Sequence, residues 1–218
     1  LGLPMPSPED IHICVQKTIT MDYYPQDTVE VYFGSLAPGG YAWIFPAGKN
    51  HVRIGLGVPL KYCKKGLNPN MLLERFIERQ TVNYEVLENV AKVIPTAKPN
   101  FMNKQKPNTL LVGDAGLFCD PLTGGGIVQA IASGRAAGQA IIEGNPSKFH
   151  KTIGWLVKQN NSRYRLKRAL LKFNDEDFNS LVEALKEFKP KSMSLGREIR
   201  RALIQLLTKK PKLLTKLL

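Results

Sequence analysis

Hydrophobic residues follow two rhythms along this chain, and the change from one to the other divides it. In "DIHICVQKTIT", Ile11, Ile13 and Val15 alternate with polar positions, the period of two expected of a half-buried strand. "TVEVYFGS" repeats the alternation with Val29, Val31 and Phe33, and the turn signal "LAPGGY" follows. "AWIFPAG" and "HVRIGLGVP" then flank a turn at "GKN". Three or four strands joined by such short turns predict an antiparallel sheet. The rhythm changes at "NPNMLLERFIERQ", where Leu72, Leu73, Phe76 and Ile77 share one helical face behind an Asn68 or Asn70 cap.

Pro95 and Pro99 punctuate a loop, and "NTLLVGD" reads as a short strand ending at Asp114. A helix is expected from about Gly126 to Ile142, stopped by Gly144. From Pro146 onward the pattern is helical, in three segments with Pro190 and Pro211 as breaks. The expected class is α/β (an α+β fragment): an antiparallel substrate-domain sheet with a helix over 1–98, a strand–helix unit over 99–145 and a helical region over 146–218.

Charge narrows the partners. Lys and Arg number 31 against 18 Asp and Glu, a net charge of +13, with much of the excess beyond residue 147. This balance suits a polyanionic partner such as an anionic membrane surface. No aromatic stacking platform interleaves the late basic run, so nucleic acid is not expected. The tail "REIRRALIQLLTKKPKLLTKLL" pairs Leu and Ile with Lys and Arg, as in a helix lying on anionic lipid or one with a charged outer face. The three cysteines lie far apart, with no spacing for zinc or any other metal, and fit a reducing compartment. No apolar run reaches the roughly 18 residues of a spanning helix. A cytoplasmic protein, free or peripheral at the membrane, is the expectation.

The chemistry concentrates in "VGDAGLFCDPLTGGGI". A carboxylate at a strand end accepts hydrogen bonds from hydroxyls, as of a ribose or ribitol. The first amides of the following helix lack intrahelical acceptors and sit at the positive end of its dipole. Without side chains at Gly124, Gly125 and Gly126, a planar ligand can approach them closely, and Pro121 pins the loop. A reduced flavin, with its ribitol hydroxyls and anionic ring edge, fits both. A tight strand-to-helix turn with an ordinary capping Asp is the plainer alternative.

Taken whole, "GDAGLFCDPLTGGGIVQAIASGRAAG" resembles the second flavin-binding motif of the geranylgeranyl reductase family, within the para-hydroxybenzoate hydroxylase-like flavoproteins. "YAWIFPAGKNHVRIGLG" resembles the YxWxFP…GxG segment of the same family. The resemblance covers roughly residues 10–145 and implies FAD as cofactor. It places Gly113, Asp114, Pro121, Gly124, Gly125, Gly126 and Ile127 on the flavin. Tyr41, Trp43, Phe45, Pro46, Gly55 and Gly57 would line the pocket of the prenyl chain. The implied reaction saturates double bonds of geranylgeranyl chains on lipids, with electrons from an external donor. A prenylquinone reductase, hydroxylase or halogenase on the same fold, or a non-enzymatic basic module docking on membrane, are the alternatives. Cys119 is the one candidate proton donor. Leu117 and Gly125 depart from the family's commoner small residue and Glu. No GxGxxG segment occurs in the chain, so the reading expects a fragment that needs a separate amino-terminal FAD-binding segment.

Overall fold

A computed structural model describes residues 5–80, 83–99 and 109–186, with six helical positions between 201 and 209. Its strands are β1 (Ile11–Thr20), β2 (Glu30–Tyr32), β3 (Tyr41–Pro46), β4 (His51–Pro59) and β5 (Val86–Pro95). They form one antiparallel sheet in the order β2-β3-β4-β1-β5. Its helices are α1 (Leu60–Cys63), α2 (Pro69–Glu78), α3 (Ile127–Ile142), α4 (Ser147–Leu170) and α5 (Asp175–Leu185).

One face of the sheet is a closed core. Val15 and Ile19 of β1 join Ala42 and Ile44 of β3 and Val52, Ile54, Leu56 and Val58 of β4, all buried under Leu73, Phe76 and Ile77 of α2. Asn68 caps α2, its side chain accepting from the amides of Asn70 and Met71, which satisfies two otherwise orphaned donors. The side chains between these core positions point to the opposite face, where aromatic residues and glycines gather.

A second core lies under that opposite layer. Phe118 packs with Ala136, Ala137 and Ala140 of α3 and with Phe149, Ile153 and Leu156 of α4. The small residues of α3 thus let its backbone approach α4. Gly144 ends α3 as expected: its amide reaches the Ile141 carbonyl, and the Asn145 amide reaches that of Ala140. With Gly144 at φ +61°, this is a Schellman stop.

Two expectations need correction, and two elements were not anticipated. The run 109–112 is no strand; it leads into a single 3-10 turn at Gly113–Gly116, and no strand among the described residues lies beside it to complete a ladder. β5 occupies residues to which the pattern assigns no element, up to the loop at Pro95, because an edge strand with mostly exposed side chains carries no clean alternation. β2 is short and turned over: Val29, Val31 and Phe33 are exposed, while Tyr32 packs edge-on against Phe76. α1 has no counterpart in the sequence reading. Apart from the six positions noted, the basic tail lies outside the described residues.

Candidate functional site

The site is built on the register of β3 against β4. Tyr41 stands opposite Gly57 and Trp43 opposite Gly55. A Cβ on Gly55 would lie 2.5 Å from the Trp43 ring and 2.7 Å from the Val15 carbonyl oxygen, a distance no real Cβ tolerates. The YxWxFP and GxG halves of the motif are therefore one object. Trp43 lies across Gly55, whose bare backbone gives the ring room, whereas the space above Gly57 is taken by Cys14, whose Sγ would stand 2.9 Å from a Cβ there. Tyr41, Trp43 and Phe45 continue as a row, with ring centroids 5.7 Å and 6.1 Å apart. Trp43 donates its indole N–H to Gln16 at 3.2 Å.

Facing this row is the loop that carries the glycine-rich segment 112–127. Gly113 has φ +53° and Gly124 φ +71°, backbone states that glycine adopts freely. The Gly113 amide donates to Ser133 Oγ at 2.9 Å, fastening the loop to α3. Asp120, only 3% exposed, organises the next stretch. Its carboxylate accepts from the amides of Leu122 and Thr123 and pairs with Arg163 of α4. Asn160, fully buried, donates to the carbonyls of Phe118 and Cys119. The Tyr41 hydroxyl donates to the Thr123 carbonyl, joining loop to sheet.

Between sheet and loop is a largely apolar cavity of about 300 Å³. Its walls include Cys14, Tyr41, Trp43 and Gly57 on the sheet side and Pro121 to Gly124 on the loop side. Phe33 stacks on Phe178 of α5, with centroids 5.5 Å apart, and both close its outer end. There the Asp175 carboxylate accepts from the amide and hydroxyl of Ser35 at 2.7 Å and 2.6 Å; these bonds hold its pKa below the ordinary carboxylate value.

One pole of the cavity is polar but closed on itself. Lys167, 5% exposed, donates to Asp10 at 3.0 Å, to the Thr96 carbonyl at 3.1 Å and to Thr96 Oγ1 at 2.8 Å. An ammonium has three protons, and all are used. Thr96 Oγ1 accepts a hydrogen bond from Lys167, and of the two acceptors within reach of its own hydrogen, His12 Nδ1 at 2.8 Å is nearer than the Asp10 carbonyl at 3.3 Å. His12 then carries its proton on Nε2, 3.3 Å from the Gly39 carbonyl. Burial, aided by the Lys167 charge, lowers the His12 pKa to about 4, so the ring is neutral near pH 7. Burial also lowers the Lys167 pKa, opposed by Asp10. Within this group of three side chains each N–H and O–H has an acceptor, so this pole offers no spare donor to an occupant.

Similarity to known proteins follows the same segments. Residues 10–94, which include the whole aromatic–glycine face, match the geranylgeranyl reductase catalytic domain. A digeranylgeranylglycerophospholipid reductase of Methanospirillum hungatei JF-1 is 34% identical over 188 residues, 81% of this chain and 46% of that protein. One of Methanothrix thermoacetophila is 32% identical over 224 residues, 96% of this chain and 55% of the relative. The crystal structure of a geranylgeranyl bacteriochlorophyll reductase-like protein from Thermoplasma acidophilum matches with a TM-score of 0.84 at 26% identity. That match covers 99% of this chain and 57% of the other. Residues 10–94 of this chain belong to the geranylgeranyl reductase catalytic-domain family. The chain spans about half the length of the curated relatives it matches.

Within this chain the expected residues fall into three groups. Tyr41, Trp43, Gly57, Pro121 and Gly124 line the cavity, and Gly55 and Phe45 support Trp43 from below and beside it. Pro46 ends β3 away from the cavity. Gly113 is buried beside Ala130 of α3, and Asp114, Gly125, Gly126 and Ile127 form a separate, outward-facing cluster. There a Cβ on Gly126 would come 3.1 Å from Asp114 Oδ1, so carboxylate and helix tip are neighbours. Asp114 is exposed and α3 starts without a side-chain cap. Ile127 is 79% exposed.

Cys119 is buried and does not line the cavity. Burial pushes its thiol up to about 12. Sequence reasoning missed Asp120, Cys14 and the His12–Thr96–Lys167 chain. Only Asp120 carried a local signal, the Asp-Pro pair that opens a turn. The other contacts join residues 71 or more positions apart, or, for Cys14, need the sheet register. Among the described residues no helix is long and apolar enough to cross a membrane.

Proposed function

We propose that this chain carries the prenyl-binding part of an FAD-dependent oxidoreductase that saturates double bonds of geranylgeranyl chains on membrane lipids. One observation carries the reading: an apolar cavity, lined by Tyr41 and by Trp43 seated on Gly55, opens between the sheet and the Pro121–Gly124 loop. Small-molecule sites span about 300–1,000 Å³, so a cavity at the low end takes a stretch of hydrocarbon better than a bulky polar substrate. The names of the Methanospirillum and Methanothrix relatives support a geranylgeranyl glycerophospholipid as that substrate.

The residues present fit a flavin. Asp114 offers an exposed carboxylate that accepts hydroxyls, and beside it the side-chain-free start of α3 offers amides to an anionic edge. Asp114, Gly126 and Ile127 would hold the ribityl and ring portions, with Gly113, Pro121, Gly124 and Gly125 shaping the loop. When bound and reduced, the flavin supplies hydride, and the hard electronic step is its own. This chain's part is to position the alkene and exclude water. The π face of Trp43 can stabilise positive charge developing on an alkene carbon. In this reading residues 1–98 handle substrate, 99–145 complete the flavin site and 146–218 brace both. The dinucleotide grip, an external electron donor and a peripheral place at the cytoplasmic membrane face complete the proposal.

The test is anaerobic turnover. The protein expressed from its complete reading frame, loaded with FAD and reduced with dithionite, is given a digeranylgeranyl glycerophospholipid. Mass spectrometry should show the lipid gaining hydrogens two at a time. Flavin that stays bound beside an unchanged lipid mass would remove the reading.

A further inference from the structure

α4 separates the cavity from a second concavity, a groove of about 540 Å³ whose lining is cationic. Asn161, Arg165, Arg168 and Lys172 recur at the spacing of one helical face, and Lys98 joins them from the segment after β5. Glu9 pairs with Arg168 at 2.5 Å. Lys98, Arg165 and Lys172 have no ion-pair partner among the described residues. Like charges three and four positions apart weaken a helix. The helix dipole accounts for cations in its last turn, but not for Lys98 on another segment. Asn161 adds a buried side-chain oxygen with no hydrogen-bond partner, which a ligand hydroxyl would satisfy.

Groove and cavity share both their walls. Thr96 lines the cavity and Lys98 the groove, at most about 7 Å apart along the chain. On α4, Lys167 faces the cavity while the next residue, Arg168, faces the groove. An amphiphile with hydrocarbon in one would therefore bring its polar end to the other.

We infer that this groove is a headgroup site, where Lys98, Arg165 and Lys172 hold the phosphate of the phospholipid whose chain enters the cavity. The inference rests on the prenyl-lipid reading above. It predicts that affinity for a phospholipid depends on the groove, whereas affinity for the same lipid without phosphate does not.

Calorimetric titration of the chain tests this without flavin or turnover, so a lack of reductase activity leaves the result readable. The probes are dioctanoyl phosphatidylglycerol, dioctanoylglycerol and inorganic phosphate. The wild type should bind the phospholipid about tenfold tighter than the diacylglycerol. The Arg165→Gln/Lys172→Gln variant, whose fold circular dichroism verifies, should abolish that difference. Lys98→Gln, on the other wall, should weaken phospholipid binding about threefold and serves if the double variant misfolds. Equal affinities in the wild type, or an unchanged phospholipid affinity in the folded variants, would overturn the assignment. Inorganic phosphate binding as tightly as the phospholipid would also overturn it, by making the groove a free-anion site.

Discussion

At the scale of single residues, the least obvious feature is a neutral histidine wedged beside a charged lysine. His12 survives there because Thr96 stands between it and Lys167, passing hydrogen bonds in one direction from ammonium to hydroxyl to ring. This arrangement has a sign in pH. The unfolded chain protonates His12 near its ordinary 6.5, whereas the folded protein holds it neutral down to about 4. The unfolded state thus binds the extra proton in that window, and stability falls as pH drops through it. We expect the stability advantage of the wild type over His12→Gln, from urea unfolding, to shrink by up to about 3 kcal/mol between pH 7 and pH 4. A pH-independent difference would mean that His12 is solvated. Nothing local in "DIHIC" announces this role, because its partners Thr96 and Lys167 come from β5's exit and from α4.

At the scale of elements, what was legible and what was not follows from how far each pattern reaches. The aromatic–glycine hairpin was legible: Tyr41 and Trp43 on one side of the Gly48–Asn50 turn, Gly57 and Gly55 at matching distances on the other. Local alternation plus a turn fixes register. β5 was not legible, since an edge strand with one flank open need not alternate. The 109–112 run was misread for the opposite reason: β-favouring residues make a strand only when a neighbour completes the ladder. The Asp120 loop shows a third case, in which a turn signal is visible but its anchor is not. Arg163 lies 43 residues on, and its side chain is 15% exposed against 4% for Asp120. Asp120→Ala would strand that guanidinium and release two loop amides. We expect a loss of about 3–5 kcal/mol in urea unfolding, with Asp120→Asn costing less because it keeps the amide acceptor.

For the whole molecule, two hydrophobic cores meet across a cavity rather than across a packed interface. The seam is held at its rim by polar contacts: Tyr41 to Thr123, Lys167 to Asp10, and Ser35 to Asp175. Such a seam leaves the interior free for an apolar occupant, and the account stands on that occupant being a prenyl chain. Photolabelling tests it most directly. A geranylgeranyl phospholipid carrying a diazirine on the chain is bound to the FAD-loaded protein from the complete reading frame, irradiated, and mapped by peptide mass spectrometry. The account predicts label on peptides containing Tyr41–Pro46 and residues 121–124, competed away by unlabelled lipid. Label confined to the exposed face of α3, or label that unlabelled lipid does not displace, would contradict it.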